Sequence, residues 1–234
     1  MRLSAAFESP EAKRRYNRRL FGVIADRYDL ITVLLSYGRD RAWKRQLVAR
    51  ANPRPGELVV DLACGTGDLA ALARAAGARV LGVDLAEPML RRAKDRLVQL
   101  AQGDMCALPL RDECADVATA GYGLRNVPVL ETALAEILRI LRPGGRFFAL
   151  DFNRPHNRVL RSVYLAYLTV VGSALGLALH GDPDTYRYIA ASLRRYPGAP
   201  AVVDMMVRAG FVEARWTPVL GGLMAIHEGR KGAR

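Results

Sequence analysis

The 234-residue sequence predicts an α/β fold in which a mostly parallel, doubly wound sheet of seven strands carries helices on both faces. Apolar, β-branched runs alternate with helix-forming segments over residues 56–155, and the connections are short. The first of these runs ends at an acidic residue followed by a glycine-containing turn, as expected where the carboxyl end of a strand faces a ligand. Hydrophobic residues make up 51% of the chain, which suffices for one substantial core, so we expect a single domain.

Residues 1–55 are predicted to form a helical cap in front of the sheet. Pro53, Pro55 and Gly56 end this region and interrupt any helix before the first strand. Basic side chains are concentrated in the cap: Lys13, Arg14, Arg15, Arg18, Arg19, Arg39, Arg41, Lys44, Arg45 and Arg50. Two interpretations of this charge stay open, namely attraction of an anionic partner and simple solvation of helix faces.

The cofactor-binding core is predicted over residues 56–155. Its strands are expected at 59–62, 80–84, 98–101, 116–120 and 146–152. The first helix of this core is expected to end near Gly77. The second is expected to begin at Pro88, because the missing N–H of proline costs nothing in the first turn of a helix. A third helix is expected over 128–141. A turn at 142–145 should separate the last helix from the fifth strand.

Residues 156–198 contain an anomalous stretch, because positions 162–179 carry no charge. Their length approaches the lower limit for a membrane span, about 18–20 residues. A span would separate the last helix and strands from the rest of the sheet, so we do not predict one. Two alternatives remain: a buried core helix, and an apolar helical lid over an apolar substrate, in which glycines allow bending and Tyr164 and Tyr167 supply rings.

The C-terminal part, residues 199–234, is predicted to complete the sheet. A helix over 202–209 should stop at Gly210, and strands at 211–217 and 223–227 should form an antiparallel hairpin at the sheet edge.

The turn after the first strand predicts a nucleotide-like ligand. Asp61 ends that strand, Gly65 and Gly67 follow it, and Asp84 ends the next strand. Glycine lets the backbone approach a ligand closely, and two acids suit a cationic, ribose-bearing cofactor better than a pyrophosphate. We therefore predict S-adenosylmethionine, with Asp61 facing its ammonium or sulfonium end and Asp84 accepting from the ribose hydroxyls. A nicotinamide site and an ordinary strand-to-helix turn are the alternatives.

The overall charge and the cysteines limit the partners and the compartment. The formal net charge of +12 favours an anionic partner, either nucleic acid or acidic lipid. The three cysteines show neither a disulfide framework nor metal-ligand spacing, so we expect small fillers, no metal site and a reducing compartment. The charged N-terminus does not resemble a signal peptide, and a cytoplasmic location is expected.

From about Phe21 to Lys231 the chain resembles the quinone-biosynthesis C-methyltransferases, which methylate demethylmenaquinone or 2-polyprenyl-6-methoxybenzoquinol. The resemblance is carried most specifically by Tyr122-Gly123-Leu124-Arg125-Asn126-Val127 and is supported by several shorter blocks. These blocks are Ile24 to Asp29, Ser36-Tyr37-Gly38, Trp43-Lys44, Asp61 to Asp68, Ala107 to Leu110, Leu141 to Arg146, and Tyr186-Arg187-Tyr188. The resemblance implies a Rossmann-like class I methyltransferase fold and a quinol substrate.

The resemblance also implies positions for the cofactor. Thr66 and Asp84 are expected to contact it, with Leu85 beside them, while Asp104 and Met105 should lie near the adenine. Gly121, at the end of the fourth strand, completes the predicted set.

Carbon methylation needs an electron-rich ring, so the acceptor should be the reduced quinol. A guanidinium lowers the pKa of a nearby phenol by favouring the phenolate, and Arg125 is the hypothesis for this role, with Asn126 orienting the ring or a water. The alternative for Arg125 is a structural ion pair. The predicted substrate-contacting tyrosines are Tyr28, Tyr122, Tyr164, Tyr167 and Tyr188. His156, His180 and His227 are interpreted as surface or core residues.

The partners follow from this hypothesis. We expect a polyprenyl quinol, demethylmenaquinol being favoured over a benzoquinol, and a peripheral contact between the basic cap and an anionic membrane. A nucleic-acid methyltransferase is the main rival, but the segment after the fifth strand, Asp151-Phe152-Asn153-Arg154-Pro155, lacks the Asn-Pro-Pro-aromatic pattern of base-directed enzymes. No nucleic-acid partner is therefore predicted, and a homodimer is left open.

Overall fold

The computed structural model describes residues 3–97 and 99–233, and its centre is a seven-stranded sheet. The strands are β1 (Leu58–Leu62), β2 (Arg79–Asp84), β3 (Gln99–Gln102), β4 (Ala115–Gly121), β5 (Leu141–Phe152), β6 (Phe211–Val219) and β7 (Met224–Lys231). Their order is β3-β2-β1-β4-β5-β7-β6, with β1–β5 parallel and β7 antiparallel to both β5 and β6. The predicted fold class is thus confirmed, including the antiparallel edge hairpin.

Nine α-helices surround the sheet within the described ranges. The cap region contains α1 (Pro10–Ile24), α2 (Tyr28–Leu35) and α3 (Asp40–Ala51); the core contains α4 (Asp68–Ala75), α5 (Glu87–Ala93) and α6 (Leu130–Ile140). They are followed by α7 (Arg158–His180), α8 (Asp184–Arg195) and α9 (Ala199–Ala209). The start of α1 is fixed locally, because the Ser9 hydroxyl accepts the Ala12 N–H and Pro10 occupies the first turn.

Apolar side chains fill both faces of the sheet. On one face, Leu134 and Ile137 of α6 pack with Phe147 of β5. On the other, Leu47 of α3 and Leu69 of α4 pack with strand residues. A third cluster joins α1, α2, α5 and α8 through Tyr16, Ile31, Met89, Tyr186 and Tyr188, so the cap and the α7–α8 region are packed together.

Predicted boundaries differ from the structure at β5 and at α6. The predicted turn at 142–145 lies inside β5, because Leu141 already pairs with Ala115 before the register shifts and Arg146 pairs with Val117. Gly144, with φ +75°, makes this irregularity possible. Helix α6 begins at Leu130 rather than at 128, because Val127 and Val129 are extended. The predicted start of the third strand, Val98, lies outside the described residues.

Helix α7 is 23 residues long, and one of the two alternatives for it is wrong: it is not a buried core helix. Its buried positions are Tyr164, Leu168, Gly172 and Gly176. The two glycines let α8 and the turn before it approach closely, since a Cβ on Gly172 would lie 2.9 Å from the Tyr186 carbonyl oxygen. Of the described helices, α7 is the one long and apolar enough to cross a membrane, by length and composition only, and 22% of its apolar window is buried.

Candidate active site

Three adjoining cavities open at the carboxyl ends of the parallel strands, where the strand order reverses between β1 and β4. All three are lined by Tyr28 of α2 and Tyr122 after β4. These tyrosines therefore stand where the cavities meet.

The turn from β1 into α4 forms the floor of one cavity. Gly65 and Gly67 have φ values of +55° and +86°, which favour glycine. The Gly65 N–H donates to Asp84 Oδ2 over 2.8 Å, and the Ala86 N–H donates to Asp84 Oδ1 over 2.8 Å. Burial raises the pKa of Asp84 and these N–H groups oppose that rise, so the strand-end carboxylate is fixed in place at the cavity wall.

Asp61 lines a second, narrow cavity with Thr66. Its Oδ1 accepts from the Thr119 hydroxyl over 2.7 Å, whereas its buried Oδ2 has no hydrogen-bond partner among the described residues. Burial is the largest influence and raises the pKa of Asp61 to about 7. A buried carboxylate oxygen without a partner suits a ligand that brings a cation or a donor.

The other predicted cofactor residues fall into two groups. Gly65, Asp84, Leu85, Asp104, Met105 and Gly121 line one cavity of about 80 Å³. Gly67 lines neither this nor the narrow cavity, because it caps α4 and faces Leu97 and Ala93. The Thr66 hydroxyl donates to Asp29 Oδ1 over 2.6 Å and so links the glycine turn to α2.

Helix α1 covers the cavity of Asp84. Arg14 donates to Asp104 Oδ2, and Arg18 and Phe21 also line the cavity. Its volume of about 80 Å³ is below the roughly 300–1,000 Å³ of typical ligand sites. Entry of a nucleoside-sized ligand therefore requires α1 or its side chains to move.

The largest of these three adjoining cavities, about 340 Å³, lies between α2, α7, α8 and the carboxyl end of β4. All five tyrosines predicted to contact substrate line it: Tyr28, Tyr122, Tyr164, Tyr167 and Tyr188. Aliphatic side chains such as Ile31, Leu168 and Ile189 supply much of the remaining wall. The cavity therefore suits a largely apolar ligand that carries a few polar atoms.

Arg125 and Asn126 both line this cavity. The Arg125 backbone N–H donates to Asp151 Oδ2 over 2.9 Å, its Nε lies 3.4 Å from Asp151 Oδ1, and Nη1 donates to Ser192. The structural ion pair considered for Arg125 is therefore present, alongside its place in the cavity wall. Asn126 lines two cavities, and its buried Oδ1 has no partner in the described part of the chain.

Several polar contacts beside the cavities were missed by the sequence interpretation. The Tyr122 hydroxyl donates to Asp40 Oδ1 over 2.6 Å, and Lys44 Nζ lies 2.8 Å from Asp40 Oδ2. Lys13 Nζ donates to the carbonyls of Arg125 and Val127 over 3.1 and 2.7 Å. Lys13 and Lys44 had been assigned to the basic surface, and no local pattern distinguishes them from their exposed neighbours.

One cysteine also differs from expectation. Cys64 and Cys114 are buried fillers as predicted, but Cys106 is half-buried. Its backbone N–H donates to Asp104 Oδ1 over 2.8 Å, beside the cavity that Asp104 lines.

Comparison with known proteins identifies the family. The model of the ubiE/COQ5 methyltransferase family matches residues 9–231. The chain belongs to the ubiE/COQ5 methyltransferase family. The match includes all the cavity-lining residues described above, and the predicted resemblance is confirmed.

Relatives within the ubiE/COQ5 family match the chain over nearly its full length. The ubiquinone/menaquinone biosynthesis C-methyltransferase UbiE of Acidiphilium cryptum is 39% identical over 230 residues, covering 94% of this chain and 92% of the relative. The demethylmenaquinone methyltransferase of Streptomyces avermitilis is 36% identical over 214 residues, covering 91% and 93%.

Solved structures share the fold. A Thermotoga maritima protein described as a SAM-dependent methyltransferase, possible histamine N-methyltransferase, superposes with a TM-score of 0.66 at 21% identity, covering 91% of this chain and 99% of that one. The phosphoethanolamine N-methyltransferase 2 of Haemonchus contortus, solved with S-adenosyl-L-methionine, gives 0.61 at 14% identity, covering 82% and 52%. At identities of 21% and 14%, these two structures show that they share the fold of this ubiE/COQ5 family member.

Proposed function

We propose that this protein transfers a methyl group from S-adenosylmethionine to a ring carbon of a polyprenyl quinol, most specifically demethylmenaquinol, in menaquinone biosynthesis. The observation that carries the proposal is the meeting of two unlike cavities at Tyr28, Tyr122 and Asn126. One is built from strand-end acids and a glycine turn, the other from tyrosines and aliphatic side chains. Family membership and the names of the relatives support the same reaction.

The residues that line the acid-lined cavities suit the chemistry of S-adenosylmethionine, which enters when α1 or its side chains move. Asp61 offers to the cationic end a buried oxygen that has no partner among the described residues, and Asp84 accepts from the ribose hydroxyls. Leu85, Asp104 and Met105 form the wall proposed for the adenine, while Gly121 leaves space at the end of β4. When bound, the cofactor supplies an electrophilic methyl group for in-line displacement.

The residues around the large cavity position and polarise the acceptor. Arg125 favours the ionised form of a quinol hydroxyl by its positive charge, although its pairing with Asp151 moderates this effect. Asn126 Oδ1 accepts from a hydroxyl and fixes the rotation of the ring. The tyrosine walls exclude water, and the ring hydrogen replaced by the methyl group leaves as a proton.

The apolar cavity and the charge of the chain are consistent with a membrane-resident substrate. Burial of isoprenoid carbons is favourable by roughly 0.8 kcal/mol for each methylene-sized group. We propose a cytoplasmic enzyme that associates peripherally with the inner face of the membrane, where exposed arginines of the cap contribute about 1 kcal/mol each near anionic lipid.

The test is incubation with methyl-labelled S-adenosylmethionine and a panel of chemically reduced quinols. We expect label in a naphthoquinol product whose mass rises by one methyl group in place of one hydrogen. Transfer to the benzoquinol alone would shift the assignment to the ubiquinone pathway. Absence of label in every quinol, with label in added RNA or DNA, would overturn the proposal.

A further inference from the structure

Helices α2 and α7 expose an unusual number of large apolar side chains. We call this surface the apolar edge, and its members are Leu30, Val33, Leu34, Tyr37, Val159, Val163, Val170 and Leu177. Leu30 and Val33 are three residues apart and Leu30 and Leu34 four residues apart on α2, Tyr37 follows just after its end, and on α7 Val163, Val170 and Leu177 are seven residues apart. Each set therefore lies on one side of its helix.

Two hydrogen bonds join the ends of α2 to α7 and show that the helices run in opposite directions. Arg27, just before α2, donates to the carbonyl of Leu179 near the end of α7. Tyr37, just after α2, shares a hydrogen bond with Tyr167 in the middle of α7. These contacts hold α2 close to α7, and both helices carry exposed apolar residues.

The apolar edge reaches the 340 Å³ cavity through Tyr37 and Val163, and Leu160 and Leu220 adjoin it there. Tyr37, Leu160, Val163 and Leu220 are exposed to solvent and also line the cavity. The apolar surface thus continues from outside into the proposed quinol site without a polar boundary at these four residues.

Positive charge borders the end of the apolar edge near this cavity. Arg39 and Arg41 follow α2, and Arg158 and Arg161 lie at the start of α7. None of the four forms an ion pair with a described residue, and Asp40 between the first two is buried against Lys44. An apolar face bordered by arginines on one side is complementary to a surface with anionic groups above hydrocarbon.

We propose that the apolar edge docks onto a lipid bilayer containing anionic headgroups, so that the cavity mouth opens directly into the membrane. This inference rests on the proposed function, since a substrate with an isoprenoid tail resides in such a bilayer. The apolar side chains of α2 and α7 enter the boundary between headgroups and acyl chains, and the four arginines contact phosphates. Helix α7 stays packed on α8 and lies along the surface instead of crossing the membrane.

A matched pair of double variants tests the location of the surface. Val33→Glu with Val170→Glu places two carboxylates on the apolar edge, at residues that are 51% and 68% exposed and do not line the cavity. Val207→Glu with Val212→Glu makes the same charge change on α9 and β6, at residues that are 56% and 46% exposed. We expect the first pair to reduce partition into phosphatidylcholine–phosphatidylglycerol vesicles at least tenfold and the second pair by less than threefold.

Activity measurements separate this inference from the proposed function. With a short-tailed quinol in solution, both double variants should turn over like the unmodified protein, whereas with a long-tailed quinol in vesicles only the edge variant should lose rate. Equal vesicle binding by the two double variants would overturn the docking surface and leave the reaction untouched. If the edge variant instead dissociates a dimer without changing vesicle binding, the face is covered by a second copy and the proposal is wrong.

Discussion

Asp61 illustrates how one buried oxygen can couple ligand binding to pH. Its pKa is raised to about 7 because burial penalises the carboxylate, and Oδ2 has no partner among described residues. Below that pH the carboxyl holds a proton, while a bound cation favours the ionised form. Binding of S-adenosylmethionine should therefore release a proton, and affinity should fall up to tenfold for each pH unit below about 7.

Titration calorimetry in buffers with different ionisation enthalpies measures this proton release directly. Asp61→Asn keeps the shape and should abolish the pH dependence while weakening affinity. Asp112→Asn, at an exposed carboxylate far along the chain, is the control and should change neither quantity. A pH-independent affinity in the unmodified protein would contradict the assigned role of Asp61.

Arg125→Lys tests the guanidinium in the quinol cavity. Lysine keeps the charge but lacks the planar guanidinium, which Asp151 and Ser192 hold in the cavity wall. If Arg125 stabilises the phenolate, kcat should fall about 100-fold, in line with removal of one oriented donor at a developing charge. The kcat profile should also shift to higher pH, which a purely structural role would not cause.

The Tm of the Arg125→Lys variant shows whether its fold is preserved. The control is the Tm of Arg139→Lys, which makes the same exchange at an ion pair on α6. A kcat within twofold of the unmodified protein at saturating quinol would remove Arg125 from the mechanism.

The sequence indicated the cavity-lining residues well but not the polar contacts behind them. Asp84 and Asp104 follow strands, so their position at the sheet edge could be predicted from periodicity. The contacts of Asp40 and Lys13 depend on how the cap folds over the sheet. Since an exposed and a buried lysine look alike in a basic helix, only tertiary packing separates them.

At the level of elements, the pairing of α7 with α8 and the turn before it depends on small residues. A Cβ on Gly176 would lie 2.5 Å from the Asp182 carbonyl oxygen, so the backbones must separate to admit it. Gly176→Ala should destabilise the protein by about 1–3 kcal/mol, although alanine ordinarily favours a helix.

Gly22→Ala in α1 is the matched control, because the added Cβ would meet Pro88 at an ordinary 3.6 Å. It should leave stability unchanged or raise it by up to about 1 kcal/mol. Denaturant unfolding compares the two, and equal effects would contradict the close packing at Gly176.

Strand predictions succeeded where apolar runs were short and bounded, as at β1 and β2. They failed locally at β5, because the glycine pair after Pro143 is equally typical of a turn and of a bulged strand. For α7, composition alone could not choose between a core helix and a lid. The choice depends on α8 covering one side and leaving the other exposed.

At the level of the whole molecule, the cofactor site joins the cap to the sheet. Arg14 of α1 and Asp104 after β3 both line its wall, so a bound ligand links elements that are far apart in sequence. S-adenosylhomocysteine at 100 times its Kd should stabilise the fold by about 2.7 kcal/mol. For a chain of this size that corresponds to a rise in Tm of roughly 5–10 °C.

Differential scanning fluorimetry with S-adenosylhomocysteine and with NAD compares the predicted cofactor with its nearest competitor. We expect a shift with the first alone. A larger shift with NAD would contradict the cofactor assignment at Asp84.

The fold class could be predicted from the sequence because alternating strand and helix patterns and glycine turns are encoded locally, and the family could be predicted from the blocks that resemble its members. The enclosure of the site could not, since it arises where α1, α2 and α8 meet around Tyr16 and Tyr188.

In the described part of the chain, the hydrogen bonds by which α1 holds the loop after β4 go to main-chain oxygens. Lys13 and Asn17 donate to the carbonyls of residues 125–127, which every amino acid provides. These hydrogen bonds from α1 therefore do not depend on which side chains residues 125–127 carry, whereas the Arg125 side chain has partners of its own in Asp151 and Ser192. The position of the loop and the polar groups that it presents to the cavity are thus set by different atoms of the same three residues.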